Sequence, residues 1–235
     1  MGRSFGVALV ATLVLGHAAS AAGPTYLNGI DISHWQGQPN WAQVKADGVR
    51  FVIAKATEGR HFVDDRYLSN KAGASAQTIP FGAYHFARPD KTAGDAVAEA
   101  DHFVNNAKLT RSNLIPVLDL EVTGGLGVKK LKAWTWAWMN RVEARLGVKG
   151  MIYTSPSFWR DRMGNAQGFA RQGHRLWIAH WDAAKPTLPA SNWGGKGWTI
   201  WQHTDNGSVA GITGDVDRDR LNGLSLAPLK IKNNR

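Results

Sequence analysis

Asp119 and Glu121 stand one residue apart in the run LIPVLDLEV (114–122). The run is apolar and rich in branched residues, so it reads as a strand, and side chains two apart on a strand face the same way. Two strand rises separate their Cα atoms by about 6.5 Å. Carboxylates this close, in a place with little water, do not both ionise. One pKa rises into the range of a general acid while the other group stays charged. Such a pair suits protonation of a leaving oxygen with stabilisation of positive charge on a sugar. Thr123-Gly124-Gly125 follows at once, so the pair sits at the C-terminal end of its strand. Gly124-Gly125-Leu126-Gly127 reads as a mobile loop beside it. The plain alternative is two solvated acids, which the otherwise apolar strand disfavours.

Polar residues recur at the ends of other apolar runs. Asp31 closes the first, before Ser33-His34, and Glu58 follows the second. Tyr84-His85, Tyr153, His180-Trp181, Gln202-His203 and Asp217 end later ones. Trp35, Trp181 and Trp201 are candidates for stacking on a sugar face, although each also suits a core. A metal hydrolase built on Asp31, His34 and His85 is the rival chemistry, but His-Glu-x-x-His is absent. So are Gly-x-Ser-x-Gly and a Gly-rich loop ending in Gly-Lys-Ser/Thr.

The elements that must hold these residues alternate. Strands are expected at 27–33, 49–57, 80–87, 114–122, 151–155, 175–181 and 198–204, with a weaker one near 215–220. Helices are expected at 41–47, 65–77, 92–108 and 131–146, where Leu131, Trp134, Trp138, Val142 and Leu146 keep helical spacing up to Gly147. Residues 182–197, rich in Pro, Gly and Asn, read as loop. Alternation implies an α/β fold with a parallel sheet and right-handed crossovers. About eight strands fit a closed TIM-like (β/α) barrel whose last strands lack regular helices, with an open doubly wound sheet as the runner-up. In a barrel the C-terminal strand ends form the active mouth.

Arg3, the apolar run from Phe5 to Leu15 and the small residues Ala19-Ser20-Ala21 read as a signal peptide over 1–21. The expectation is a secreted protein, extracellular or periplasmic, with a single catalytic domain over 22–235 and no stable membrane insertion after signal removal. Zero cysteines in 235 residues mean that the core must suffice without disulfides. The net charge of +10 suits a polyanionic partner. Export points away from nucleic acid and toward an anionic cell wall, while a plain solubility role for the charge stays open.

The segments GIDISHWQG (29–37), FVIAKATEG (51–59), FGAYHFARP (81–89), PVLDLEV (116–122), MIYTS (151–155), LWIAHWD (176–182), WTIWQHT (198–204) and DVDRD (215–219) together resemble glycoside hydrolase family 25, the fungal and bacterial muramidases. The resemblance spans about residues 26–222 and keeps the motif order. It implies a modified barrel and cleavage of the β-1,4 bond between N-acetylmuramic acid and N-acetylglucosamine. It implies Glu121 as proton donor, Asp119 as partner carboxylate, and Asp31 and Asp217 as the other acids of the centre. Tyr84 is then a substrate contact, and Tyr153, Trp181 and Gln202, read above at strand ends, are the further candidates for substrate binding. No cofactor or metal is implied, and a monomer acting on glycan strands is expected. Asp119 either forms a covalent bond or orients the substrate's N-acetyl group. The resemblance favours the second, and carboxylate spacing does not choose. Two rivals remain: a catalytically silent carbohydrate-binding barrel and a metal-dependent polysaccharide deacetylase.

Overall fold

The computed structural model describes residues 1–2 and 25–232. The expected leader lies, from Arg3 onward, outside the described residues. Among the described residues no helix is long and apolar enough to cross a membrane.

Eight strands close a barrel. They are β1 (Tyr26–Ile32), β2 (Phe51–Glu58), β4 (Phe81–Phe86), β5 (Val117–Asp119), β6 (Met151–Thr154), β7 (Arg175–Ala179), β8 (Ile200–Gly207) and β9 (Val216–Asn222). A short β3 (Phe62–Val63) pairs antiparallel with the end of β2. β1 closes the ring by pairing with β2 on one side and β9 on the other. The open doubly wound alternative is thereby excluded.

The all-parallel expectation needs one correction. β9 runs antiparallel to both β8 and β1. The connection 208–215 between β8 and β9 is too short for a crossover helix, so the chain turns back as a hairpin. Asp217 therefore stands near the start of its strand, yet at the same end of the barrel as Asp31, its cross-strand partner.

The helices α1 (Trp41–Ala46), α2 (Tyr67–Ala76), α3 (Asp95–Ala107) and α4 (Val128–Leu146) lie near their expected bounds. On α4, Leu131, Trp134, Thr135, Trp138, Met139 and Val142 are buried, and Gly147 ends the helix at φ +67°. The loop 182–197 holds an element that residue types do not forecast. Ala190, Ser191, Asn192 and Trp193 all have φ between +49° and +57°, a left-handed turn. Such backbone costs about 1–2 kcal/mol per residue. Burial of Trp193 and a bond from its indole N–H to the His174 carbonyl (2.8 Å) offset part of that cost.

Apolar side chains lie on both faces of the barrel wall. Outward ones, such as Ile30, Val52, Ala54, Leu118 and Ile178, meet the helices. Inward ones, such as Phe51, Ile53, Val117, Met151, Trp177 and Leu221, fill the barrel. This two-sided burial is why β2 has no exposed residue. Gly29 faces Phe51, and a Cβ there would lie 2.2 Å from the ring, so only glycine leaves room for it. Leu226, Leu229 and Ile231 close the end of the barrel opposite the C-terminal ends of the parallel strands.

Candidate active site

The inward positions near the C-terminal strand ends are polar where those below are apolar. A cavity of about 200 Å³ is lined there by Asp31 of β1, Lys55 of β2, Tyr84 of β4, Asp119 of β5, Tyr153 of β6, Gln202 of β8 and Asp217 of β9, together with Glu121. A second cavity of about 480 Å³ adjoins it, lined by Glu121, Tyr153, Ser155, Ser157, Phe158, Asp161, Arg162 and Trp181 among others. Asp31, Tyr84, Asp119, Glu121, Tyr153, Trp181, Gln202 and Asp217, the acids and substrate contacts expected from the sequence, thus meet at one mouth. Glu121 and Tyr153 border both cavities.

β5 is shorter than expected and ends at Asp119. Glu121 lies two residues beyond it, but Leu120 between them is fully buried and its N–H bonds the Tyr153 carbonyl (3.0 Å). Extended alternation therefore persists past the last ladder pair, and both carboxylates turn to the mouth. The Gly-rich loop that follows is packed. Leu126 is buried, and a Cβ on Gly124 would lie 1.4 Å from the Pro89 carbonyl oxygen.

A chain of hydrogen bonds fixes the far wall. Gln202 donates to Asp31 (2.8 Å) and accepts from the Tyr153 hydroxyl (2.8 Å) and the Trp181 indole N–H (2.9 Å). Trp177, below them, donates to Asp219 (2.8 Å). Asp219 and Lys55 are the polar residues that sequence reading missed. Asp217 and Asp219 are two apart on one strand, as are Ile53 and Lys55, so the alternation that singled out Asp119 and Glu121 applied to them as well. Lys55 is paired with Glu58, which also accepts from Arg88 (2.7 Å).

Other expectations fail for local reasons. Trp201 points outward into the helix layer and bonds the His180 carbonyl (2.8 Å), so it is core. His85 also points outward, between Thr57 and Glu99 (both 2.8 Å), and His34 is held by Asp64 (2.8 Å). Neither ring joins Asp31, which removes the metal trio considered above.

Burial pushes the carboxyls of this mouth up. Asp119 is held well above the usual range, by burial first and then by the neighbouring Glu121. Glu121 is raised too, by burial. The pair therefore retains a proton above the ordinary carboxylate range. Asp31 and Asp219 are raised well above it by burial and then by Asp217, and Asp217 itself by burial to about 6. A carboxyl with a raised folded-state pKa stabilises the fold below its unfolded value and loses that contribution as pH rises through the folded one. For Asp217 the window runs from the ordinary 3.8 to about 6. Asp217→Asn is thus expected to gain about 3 kcal/mol over the parent at about pH 8 and only about 0.5 kcal/mol at about pH 4. Urea unfolding at both pH values checks this, and a gain independent of pH would contradict it.

The family model described as Glycosyl hydrolases family 25 matches residues 30–212. This chain belongs to glycosyl hydrolase family 25. Lysozyme M1 of Streptomyces globisporus is 39% identical to this family 25 chain over 217 residues, covering 88% of this chain and 72% of its own. The N,O-diacetylmuramidase of Chalaropsis sp is 34% identical over 210 residues, covering 81% and 96%. Among solved structures, the bacterial lysozyme of Streptomyces coelicolor superposes with a TM-score of 0.79 at 39% identity, covering 86% of this chain and 94% of that one. This family 25 member is a glycoside hydrolase on a TIM-like α/β barrel.

Proposed function

We propose that the protein is a muramidase, a lysozyme that cleaves peptidoglycan between N-acetylmuramic acid and N-acetylglucosamine. The observation that carries this reading is the position of Glu121, shared by two adjoining cavities and backed by Asp119 in only one of them. A glycan strand lying through both cavities brings a glycosidic oxygen to Glu121. The sugar on the acid-rich side is the one that develops positive charge, and the sugar beside Trp181 leaves.

In this mechanism Glu121 protonates the glycosidic oxygen. Asp119 accepts the N–H of the acetamido group and turns that group's carbonyl oxygen toward the anomeric carbon. An N–H donated to Asp119 favours its anion, so the proton retained by the pair passes to Glu121 on binding. Asp217, ionised once pH exceeds about 6, supplies negative charge near the oxocarbenium-like transition state, and Gln202 keeps Asp31 and Tyr153 in register. All these groups come from one chain, so a monomer suffices. The N-terminal pattern of Arg3, an apolar run and Ala19-Ser20-Ala21 supports export to the wall outside the cytoplasm.

Trp181 is 44% exposed at the cavity edge, its indole N–H held by Gln202. It serves as a platform for the leaving sugar. Trp181→Ala is expected to raise KM roughly tenfold, from the loss of about 1–1.5 kcal/mol of stacking, with kcat changed less than about twofold. A fall in kcat at unchanged KM would instead assign Trp181 to positioning Gln202.

Purified peptidoglycan tests the reading against its rivals. The muramidase generates new reducing ends, releases no acetate and is indifferent to chelators. Acetate release that a chelator blocks would establish the deacetylase, and binding without new ends the silent barrel.

A further inference from the structure

The end of the barrel opposite the acids is basic. Lys149, Arg175, Lys230 and Lys232 line a concavity of about 390 Å³ there, with Ile115 and Pro228 in its apolar wall. Its one acid, Glu143, is already bonded to Lys149 (2.9 Å). The local sequence builds this surface. After Pro228 the chain runs extended beside residues 113–115, with Ile115 N–H to the Leu229 carbonyl (2.7 Å) and Ile231 N–H to the Asn113 carbonyl (3.0 Å). Alternation sends Leu229 and Ile231 into the barrel and leaves Lys230 and Lys232 outside. Arg175, at the start of β7, donates to the Pro228 carbonyl (3.2 Å), which fixes its head against the same segment.

We propose that this concavity binds an anionic phosphodiester polymer of the cell wall, anchoring the enzyme while the mouth at the other end cleaves glycan. The inference rests on the wall being the substrate. Four cations facing one paired acid leave an excess of positive charge, and backbone bonds hold their segment in place. The mouth, lined by Asp31, Asp119, Glu121 and Asp217 with Lys55 as its one cation, offers such a polymer no excess of positive charge, so the two ends of the barrel differ in the ligands they suit. No aromatic ring lines the basic concavity. It lacks the stacking surface that single-stranded nucleic acid uses, while its aliphatic walls suit alditol or sugar linkers between phosphates.

The probe is soluble poly(glycerol phosphate), titrated into the native chain and two doubly substituted chains of equal net charge. Lys230→Gln with Lys232→Gln is expected to weaken binding at least tenfold and flatten its salt dependence. Lys129→Gln with Lys130→Gln is expected to change it less than about twofold. Equal losses in both would show that binding follows net charge and would overturn the proposal. So would a single-stranded oligonucleotide of the same charge that binds as tightly as the polymer. Native-like hydrolysis of wall stripped of phosphodiester polymers, with slowed hydrolysis of intact wall, is expected for the Lys230/Lys232 chain, and equal slowing on both walls would contradict the anchoring role. Polymer binding by a chain that cleaves no wall would sink the muramidase reading alone. Cleavage without polymer binding would sink this proposal alone.

Discussion

Glu121→Gln is expected to lower kcat on peptidoglycan by about 10³-fold, because general acid catalysis contributes roughly 10²–10⁴ and an amide donates no proton to a leaving oxygen. The side chain keeps its shape, so KM and the unfolding midpoint should change little. The pH profile gives a second reading of the same role. Burial raises the Glu121 carboxyl, and the Asp119–Glu121 pair keeps a proton above the usual range. The proton-donating form therefore prevails below the pair's upper titration and is lost as pH rises through it. Native activity should fall on that alkaline limb. The residual rate of Glu121→Gln should not, since the amide at that position has no proton to lose. A variant that keeps more than about a tenth of native kcat would remove Glu121 from the acid role.

Asp119→Asn is expected to cost about 10²–10³ in kcat with KM nearly unchanged. Asp119 is almost fully buried at the base of the cavity, with Oδ1 accepting no hydrogen bond from the protein. The Asp119 side chain lines the cavity where the acetamido N–H of a bound sugar would come. Asparagine keeps the size but can neither carry charge nor, with its NH₂ turned to the sugar, accept that N–H. The loss therefore falls on the transition state, where the acetamido oxygen must reach the anomeric carbon. The fold should not suffer. An acid held protonated by burial has its neutral form imitated by the amide, so the unfolding midpoint should stay level or rise at neutral pH. Steady-state kinetics on solubilised glycan measures the split. A raised KM at unchanged kcat would make Asp119 a binding residue only.

Much of the fold was legible because its signals are local. The strand runs are apolar on both faces, and α4 carries a helical stripe ending in Gly147, so period and punctuation agreed there. The direction of β9 was not read, because pairing direction depends on what the connection can span. The short 208–215 segment is the clue, and it outweighs the β/α rhythm of the earlier elements. The helix α5 (Pro156–Arg162) was also legible in principle. Ser155 caps it by accepting from the Phe158 N–H (3.2 Å), with Pro156 at its first position, a start signal that lay hidden at the end of a strand motif. The left-handed turn at 190–193 was not legible. Ala, Ser and Trp do not favour positive φ and Asn only tolerates it, and the burial of Ala190 and Trp193 at the two ends holds the turn.

The site divides along the same line. Asp119, Glu121 and Asp31 could be singled out because acids in apolar strands are conspicuous, and Asp217 through the DVDRD motif. Asp219 obeys the same alternation but sits among Asp215, Asp217, Arg218 and Arg220, which masked it, whereas Lys55 stood in an apolar run and was passed over for Glu58 at the strand end. Trp201 misled because inward and outward aromatics on a strand differ by one position, and its run is apolar on both faces. The Gln202 hub, which ties Asp31 to Tyr153 and Trp181, joins four strands or their ends across the barrel and exists only once the ring closes.

The sugar at each newly formed reducing end tests the central claim most directly. Peptidoglycan digested by the native protein, reduced with borohydride and hydrolysed, should yield the alditol of muramic acid as the new product, and digestion by Glu121→Gln should yield almost none. The alditol of glucosamine in its place, or no new alditol from the native protein, would contradict the account.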